Sequence, residues 1–139
     1  MKTSLTRTVH FRASHRYWIA EWSDEANRAH FGAATEAHPH DYTCAVTVSG
    51  VLDPETDMVI ELPALDKLIE TEVVARFHDK DLNRDTPEFA EGGMLPSCEA
   101  LARYCFMRIA EQLPAGVTLE RVRIAEDASL HADCVATPE

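Results

Sequence analysis

The chain has 139 residues, of which 45% are hydrophobic and 27% charged, and this size and composition predict one globular domain over residues 1–139. Lys and Arg number 13 against 24 Asp and Glu, and the net charge of −11 argues against nucleic acid and anionic membranes as partners because it repels phosphate. With no apolar run near the ~20 residues of a membrane span, no signal-peptide core and no Cys-x-x-Cys pair, we expect a cytoplasmic protein whose cysteines are buried free thiols.

The first predicted element is a half-buried strand over residues 3–15, where apolar and polar residues alternate. It ends at His15. Residues 16–32 lose the alternation and are predicted to form a surface insertion, in which Ser23 begins a short polar helix that ends at Gly32.

A second strand is predicted from Tyr42, where the alternation returns, and His38 and His40 stand directly before it. A turn follows at residues 53–57. Apolar positions then recur every three or four residues, which predicts a helix of about four turns opened by Pro63.

Residues 78–96 are polar and rich in Pro and Gly, so we expect a long ordered loop of the kind that often carries function. Ser97 is suited to cap a second helix. The buried stripe of that helix is expected to comprise Leu101, Tyr104, Cys105, Ile109 and Leu113.

Two short strands are predicted at the end of the chain, over residues 117–126 and about 130–136. The order β-β-α-α-β-β then predicts an α+β fold, with a four-stranded antiparallel sheet and two helices on one face. Glu126 shares the parity of Val122 and Ile124, which places a carboxylate in line with an apolar face. That placement is costly unless something binds it, although a shift of one residue in register would return Glu126 to solvent.

Three histidines are candidates for a metal site. His38 and His40 can point to the same side of an extended chain, and His15 supplies a third ligand if the first two strands are neighbours. Three histidines would leave one position on zinc open for substrate or water. The alternative is that they are ordinary surface histidines.

His78 and Asp79 follow the first long helix and are candidates for general acid–base catalysis, because a neighbouring carboxylate can raise the pKa of an imidazole towards working pH. A solvated helix C-terminus, where histidine interacts well with the helix dipole, is the interpretation that the residues alone favour.

A series of short motifs runs along the whole chain: FRASH at 11–15, SDEANR at 23–28, FG at 31–32, HPHDY at 38–42, VSGVLDP at 48–54, DMV at 57–59, KDLN at 80–83, PEF at 87–89, PSCE at 96–99 and VRIAE at 122–126. In this order and at this spacing they resemble the 6-pyruvoyltetrahydropterin synthase family and its 6-carboxytetrahydropterin synthase relatives. The resemblance implies the tunnelling fold, in which subunit sheets join into a barrel as a homo-oligomer, a trimer or a hexamer, with active sites between subunits.

The resemblance also implies a set of site residues. His15, His38 and His40 would bind zinc (Zn²⁺), and Glu126 would grip a pterin ring. The residues beside that carboxylate in the implied substrate site are Ser97, Cys98 and Glu99.

Several positions depart from the family pattern. The cysteine that serves as the base is replaced by Ala34, and the Asp-His pair is inverted as His78-Asp79. Some relatives place a glutamate shortly before the zinc histidines in place of the cysteine, and Glu36 lies one residue from that position. Glu36 is therefore a candidate base, with an exposed loop glutamate as the equal alternative.

The altered proton-transfer residues lead us to expect a repurposed zinc-dependent lyase or cyclase that acts on a carbonyl or polyol substrate, because Lewis acidity needs no cysteine. One form is a Pictet–Spengler-type condensation of an aldehyde with an aromatic amine in specialised metabolism. The alternatives are a pterin enzyme acting on dihydroneopterin triphosphate, as a synthase or by side-chain cleavage, and a non-catalytic zinc-bound pterin or metabolite binder.

Overall fold

The computed structural model describes residues 1–90 and 92–138, and its centre is a long antiparallel strand pair. Strand β1 (Thr3–His15) pairs with β2 (His38–Gly50) along its full length, so that His15 lies opposite His38. Strand β2 begins four residues before the predicted start because its pairing with β1 continues to the last residue of that strand. The predicted neighbourhood of the first two strands is confirmed.

The remaining strands extend this pair on both sides. Strand β4 (Thr118–Asp127) pairs antiparallel with β2, and β5 (Leu130–Val135) pairs antiparallel with β4. A two-residue strand, β3 (Lys80–Asp81), pairs parallel with β1 on the other side, which gives the order β3-β1-β2-β4-β5. The four predicted antiparallel strands are present, and β3 makes the sheet mixed.

Two longer helical segments pack on one face of the sheet. The second of them, α5 (Cys98–Ala110), is capped by Ser97, whose hydroxyl accepts a hydrogen bond from the Ala100 amide. Its buried side chains share one core with Phe11 and Tyr42 of the sheet, whose rings stack at 4.9 Å. Alternate residues of β1, such as His10, stay exposed on the opposite face. The α+β fold is confirmed.

The first of the two segments changes pitch in its middle. Helix α2 (Leu62–Ile69) continues through a π-helical turn (Glu70–Val74) into α3 (Ala75–Phe77). Four apolar residues of this segment, at a spacing of four, are fully buried: Leu65, Ile69, Val73 and Phe77. A spacing of four drifts by about 40° at each step of a regular α-helix, and the wider π turn compensates for this drift.

The expectation of a long loop over residues 78–96 is wrong in part. The segment contains β3, the short helix α4 (Leu82–Asp85) and a 3₁₀ turn (Pro87–Phe89). Leu82 and Phe89 are fully buried and fix these elements to the core, which the polar composition around them conceals.

The insertion between β1 and β2 is built as predicted. Ser23 caps α1 (Asp24–Phe31), which ends at Gly32 and is followed by a 3₁₀ turn (Gly32–Thr35). The four cysteines are free: Cys44, Cys98 and Cys105 are buried, and Cys134 is half-buried. None of the helices in the described parts of the chain is long and apolar enough to cross a membrane.

Candidate metal and substrate site

Three imidazoles meet where β1 ends and β2 begins. The sheet register pairs His15 with His38, and His40 follows His38 by two residues on β2, so that both side chains lie on the same face of the strand. Their ring centroids are 4.6 to 5.1 Å apart, and one nitrogen of each ring lies within 4.8 Å of the others. The structure thus brings together the three histidines that the sequence nominated.

Two of these rings are oriented by backbone carbonyls. The Nδ1 atom of His15 lies 2.7 Å from the Pro96 carbonyl oxygen, and Nδ1 of His38 lies 2.8 Å from that of Glu36. A histidine that donates through Nδ1 to a carbonyl presents the lone pair of Nε2, which is the usual arrangement of a metal ligand. Within residues 1–90 and 92–138, Nε2 of His15 and Nε2 of His40 are buried without a hydrogen-bond partner.

The electrostatics of His15 favour the neutral, ligating form. Burial lowers the pKa of His15 to about 4; the Pro96 carbonyl opposes this shift, and the nearby His38 and His40 add to it. The ring is therefore uncharged at neutral pH. The orphaned nitrogens and the neutral ring together fit a zinc-type cation.

Glu126 lies beside this cluster at the end of β4. Its Oε2 atom is 3.5 Å from His40 Nε2 and 3.9 Å from His15 Nε2, and its side chain is 14% exposed. A bulge in the pairing of β4 with β5 falls between Ala125 and Asp127, but the inward parity of Glu126 is kept. The structure places the carboxylate against the metal-binding candidates rather than in solvent.

The start of α5 borders the same carboxylate. The Cys98 sulfur is 3.9 Å from Glu126 Oε2, and burial together with the Glu126 charge raises the pKa of the Cys98 thiol to about 12. Cys98 is therefore a neutral thiol and not a nucleophile at neutral pH. Ser97 uses its hydroxyl to cap the helix, while Glu99 is exposed in the first turn.

Tyr17 is a site residue that the sequence reasoning missed. Its ring packs edge-on against His15 at a centroid distance of 4.9 Å, and its amide donates to the Ala34 carbonyl. Burial, with the Glu126 charge, raises the pKa of the Tyr17 hydroxyl. Its position two residues after His15, which continues the alternation of the strand, is the signal that could have identified it.

The side chains of the three proposed proton-transfer residues have partners other than the imidazoles of the cluster. The Glu36 carboxylate is 3.3 Å from Arg28, and its side chain is 76% exposed. The Nδ1 atom of His78 accepts a hydrogen bond from the Arg12 amide, and its Nε2 atom is 3.4 Å from the Asp79 carboxylate. In the described residues no hydrogen bond or ion pair connects these side chains with the histidine cluster.

This arrangement defines a small α+β protein with a histidine cluster and a carboxylate clamp at one end of its sheet. The family model described as 6-pyruvoyl tetrahydropterin synthase matches residues 4–136. The chain is 37% identical over 124 residues to the 6-pyruvoyl tetrahydrobiopterin synthase of Poecilia reticulata, covering 88% of this chain and 82% of that protein. It is 35% identical over 127 residues to the Homo sapiens enzyme of the same name, covering 90% and 86%.

Solved structures agree with this similarity. The 6-pyruvoyl tetrahydropterin synthase of Caenorhabditis elegans superposes with a TM-score of 0.89 at 24% identity over 99% of this chain and 97% of that one. A Plasmodium vivax 6-pyruvoyltetrahydropterin synthase in which a catalytic glutamate is changed to alanine has a TM-score of 0.66 at 14% identity, over 96% and 97%. The chain belongs to the 6-pyruvoyl tetrahydropterin synthase family, a family of enzymes.

These relatives overturn the expected repurposing. The expectation of an aldehyde–amine condensation in specialised metabolism is wrong, because the similar proteins carry the name of a pterin synthase over nearly the whole chain. It rested on the altered proton-transfer residues, Ala34 and the inverted His78-Asp79 pair, and these few changes weigh less than similarity that extends through both the sheet and the helices.

Proposed function

We propose that the protein is a zinc-dependent pterin enzyme that acts on dihydroneopterin triphosphate, as a 6-pyruvoyl or 6-carboxytetrahydropterin synthase or by side-chain cleavage. The observation that carries the proposal is the buried pair of unpartnered Nε2 atoms, of His15 and His40, beside the Glu126 carboxylate. The names of the relatives support the pterin substrate class.

His15, His38 and His40 would hold the zinc ion, with the carbonyls of Pro96 and Glu36 keeping two of the rings in place. Bound zinc supplies Lewis acidity towards carbonyl and hydroxyl oxygens of the substrate side chain. The low pKa of His15 keeps its ring available as a ligand at neutral pH.

Glu126 would bind the substrate beside the metal, because an ionised carboxylate accepts hydrogen bonds from N–H and O–H groups. The neutral Cys98 thiol and the Tyr17 hydroxyl border this position, and both can donate hydrogen bonds without adding charge. Ser97 contributes through the helix cap that fixes Cys98, and Glu99 lies at the exposed rim.

There are two candidates for the group that transfers protons: Glu36 and the pair of His78 and Asp79. Glu36 directly follows the 3₁₀ turn Gly32–Thr35 and would have to leave Arg28 to reach substrate. The catalytic glutamate of the Plasmodium vivax enzyme is a precedent for a carboxylate in such a role. His78 and Asp79 lie at the β3 edge and would act on a site of a neighbouring copy in a homo-oligomer, a trimer or hexamer with active sites between subunits. Ala34 has no group that can move a proton.

The test is turnover of dihydroneopterin triphosphate by the zinc-loaded protein, with the product identified by chromatography and mass. We expect activity in the wild type, loss of zinc and activity in His38→Ala, and a fall in kcat in either Glu36→Gln or His78→Gln. Glu25→Gln, an exposed change on α1, is the matched control. Pterin binding without turnover would replace this proposal with a pterin-binding function. A kcat equal to that of wild type in both variants would exclude both Glu36 and His78 as the base.

We further propose that residues 1–139 form a single domain and that the protein works in the cytoplasm. The family model spans most of that range, and the four cysteines are free thiols, as is usual in a reducing compartment.

A further inference from the structure

A cleft with two arginines in its lining lies next to the histidine cluster. This arginine cleft has a volume of about 350 Å³ and is lined by Arg16, Trp18, Ala37, Asp81, Asn83 and Arg84. Arg16 directly follows His15 in the chain. Ala37 directly precedes His38, so the cleft borders two of the candidate metal ligands. A ligand held at the histidines can therefore extend into it.

The lining of the arginine cleft is basic, although the whole chain has a net charge of −11. Among residues 1–90 and 92–138, neither Arg16 nor Arg84 forms an ion pair with a carboxylate. The acidic residue of the lining, Asp81, uses its carboxylate to accept a hydrogen bond from the Asn83 amide at the start of α4. Two guanidinium groups at one cleft thus keep their donors free, and guanidinium groups bind phosphate well.

Arg16 is held in place from two sides. The Asn83 side chain accepts a hydrogen bond from the Arg16 amide at 2.9 Å and donates one to the Arg16 carbonyl at 3.0 Å. The Arg16 guanidinium lies over the Trp18 ring, 4.7 Å from its centre. Arg28, which is paired with Glu36, also places its guanidinium 5.8 Å from the centre of that ring, so the indole gathers two positive groups. A cation fixed in this way loses little conformational freedom when it binds an anion.

We propose that the arginine cleft binds the triphosphate group of the substrate, with Arg16 and Arg84 donating hydrogen bonds to phosphate oxygens. This inference rests on the proposed function, since dihydroneopterin triphosphate carries its phosphates on the side chain that the metal site would receive. The planar fork of arginine N–H groups matches the oxygens of a phosphate. The cleft then selects the phosphorylated pterin over the same pterin without phosphate, which the overall negative charge of the protein alone would not do.

The first experiment measures binding of inorganic tripolyphosphate to the zinc-loaded protein by isothermal titration calorimetry. It compares wild type, Arg16→Gln, Arg84→Gln and the matched control Arg103→Gln, which removes the same charge from an exposed arginine of α5. We expect each cleft variant to bind tripolyphosphate about tenfold more weakly, the loss that goes with one charge-assisted hydrogen bond, and Arg103→Gln to match wild type. Zinc content is measured before and after each titration, because tripolyphosphate also binds zinc. Equal zinc content in the four proteins leaves the arginines as the cause of any difference.

The second experiment measures turnover of dihydroneopterin triphosphate by the same four proteins. We expect kcat/KM to fall about tenfold in Arg16→Gln and in Arg84→Gln and to stay unchanged in Arg103→Gln. Tripolyphosphate should inhibit wild type in competition with the substrate. The inhibition of wild type needs no variant, and Arg84 is exposed on α4, so the proposal stays testable even if Arg16→Gln does not fold.

Equal tripolyphosphate affinity in wild type and both cleft variants would overturn the inference. Turnover with unchanged kcat/KM in both variants would also reject it, while the proposed function would stand. A change in oligomeric mass of the variants without a loss of tripolyphosphate affinity would assign the arginines to a subunit contact instead. Absence of turnover by wild type would refute the proposed function, and tripolyphosphate binding that still depended on Arg16 and Arg84 would then support the phosphate site alone.

Discussion

The interhelical network around Glu72 gives a quantitative prediction. This residue lies in the π turn with its side chain only 4% exposed, and it accepts hydrogen bonds from Arg76 at 3.2 Å, Arg108 at 3.1 Å and Gln112 at 2.9 Å. The network joins the π turn to α5 and to the residues that follow α5. Glu72→Ala removes the one acceptor that all three donors share.

The size of the loss follows from the exposure of the partners. Removal of one member of a buried charge network costs about 3–5 kcal/mol, but Arg76 and Arg108 are 34% and 38% exposed and recover part of this by hydration. We therefore expect Glu72→Ala to lower the free energy of unfolding by about 2–3 kcal/mol. At an m-value of about 2 kcal/mol/M, the midpoint of urea unfolding falls by about 1–1.5 M.

The assay is urea unfolding followed by circular dichroism at one fixed protein concentration, because subunit association shifts apparent stability. Glu70→Ala is the control, since Glu70 is exposed in the same turn. A midpoint for Glu72→Ala within error of that control would refute the assignment of stability to this network.

The ionisation of Glu72 should also make the stability of the protein depend on pH in the acid range. Burial opposes ionisation of Glu72, but the hydrogen bonds from Arg108 and Gln112 outweigh it and hold the pKa of Glu72 below its ordinary value of 4.5. Stability from this carboxylate is then fully present above pH 4.5 and lost as pH falls through the lower folded-state pKa. The stability difference between wild type and Glu72→Gln should shrink below pH 4.5, and a difference that grows on acidification would contradict the sign.

Three further changes are predicted to act at separate places. Gly50→Ala puts a methyl group 2.9 Å from the Gly116 carbonyl oxygen, so we expect a loss of about 1–3 kcal/mol in urea unfolding; an unchanged midpoint would show that the close approach is absent. Asn27→Ala removes the fully buried amide that accepts from the Ile19 amide at 2.7 Å, and we expect a loss of about 1–3 kcal/mol and faster proteolysis in the insertion, with equal cleavage rates counting against it. Zinc removal by a chelator should lower the Tm of wild type but not of His38→Ala, and equal shifts in both would place the metal elsewhere.

The sequence predicts the strands and longer helices because one face of each element is buried, which imposes a period of two or of about 3.6 on the apolar residues. Leu82 and Phe89 show the limit of this signal. Each is a single apolar residue in a polar segment, and nothing local marks it as an anchor for short elements.

Some features of the candidate site follow from local sequence patterns, and others depend on tertiary contacts. The parity of Glu126 and the position of His15 at the end of β1 follow from strand periodicity, so the sequence could place them near His40. The directions of the Glu36 and His78 side chains depend on Arg28 and on the Arg12 amide, which are tertiary contacts that a local pattern does not contain.

The π turn makes its helix tolerant of a one-residue deletion. Without the exposed Thr71 the turn would become regular α-helix, and Leu65, Ile69, Val73 and Phe77 would follow one another at spacings of four, three and four residues, which keeps all four on one face. One added residue would instead make the middle spacing five and turn Val73 and Phe77 away from the sheet, although no apolar residue had been removed. Natural shortening of this helix should therefore be accepted within the π turn, and lengthening should not.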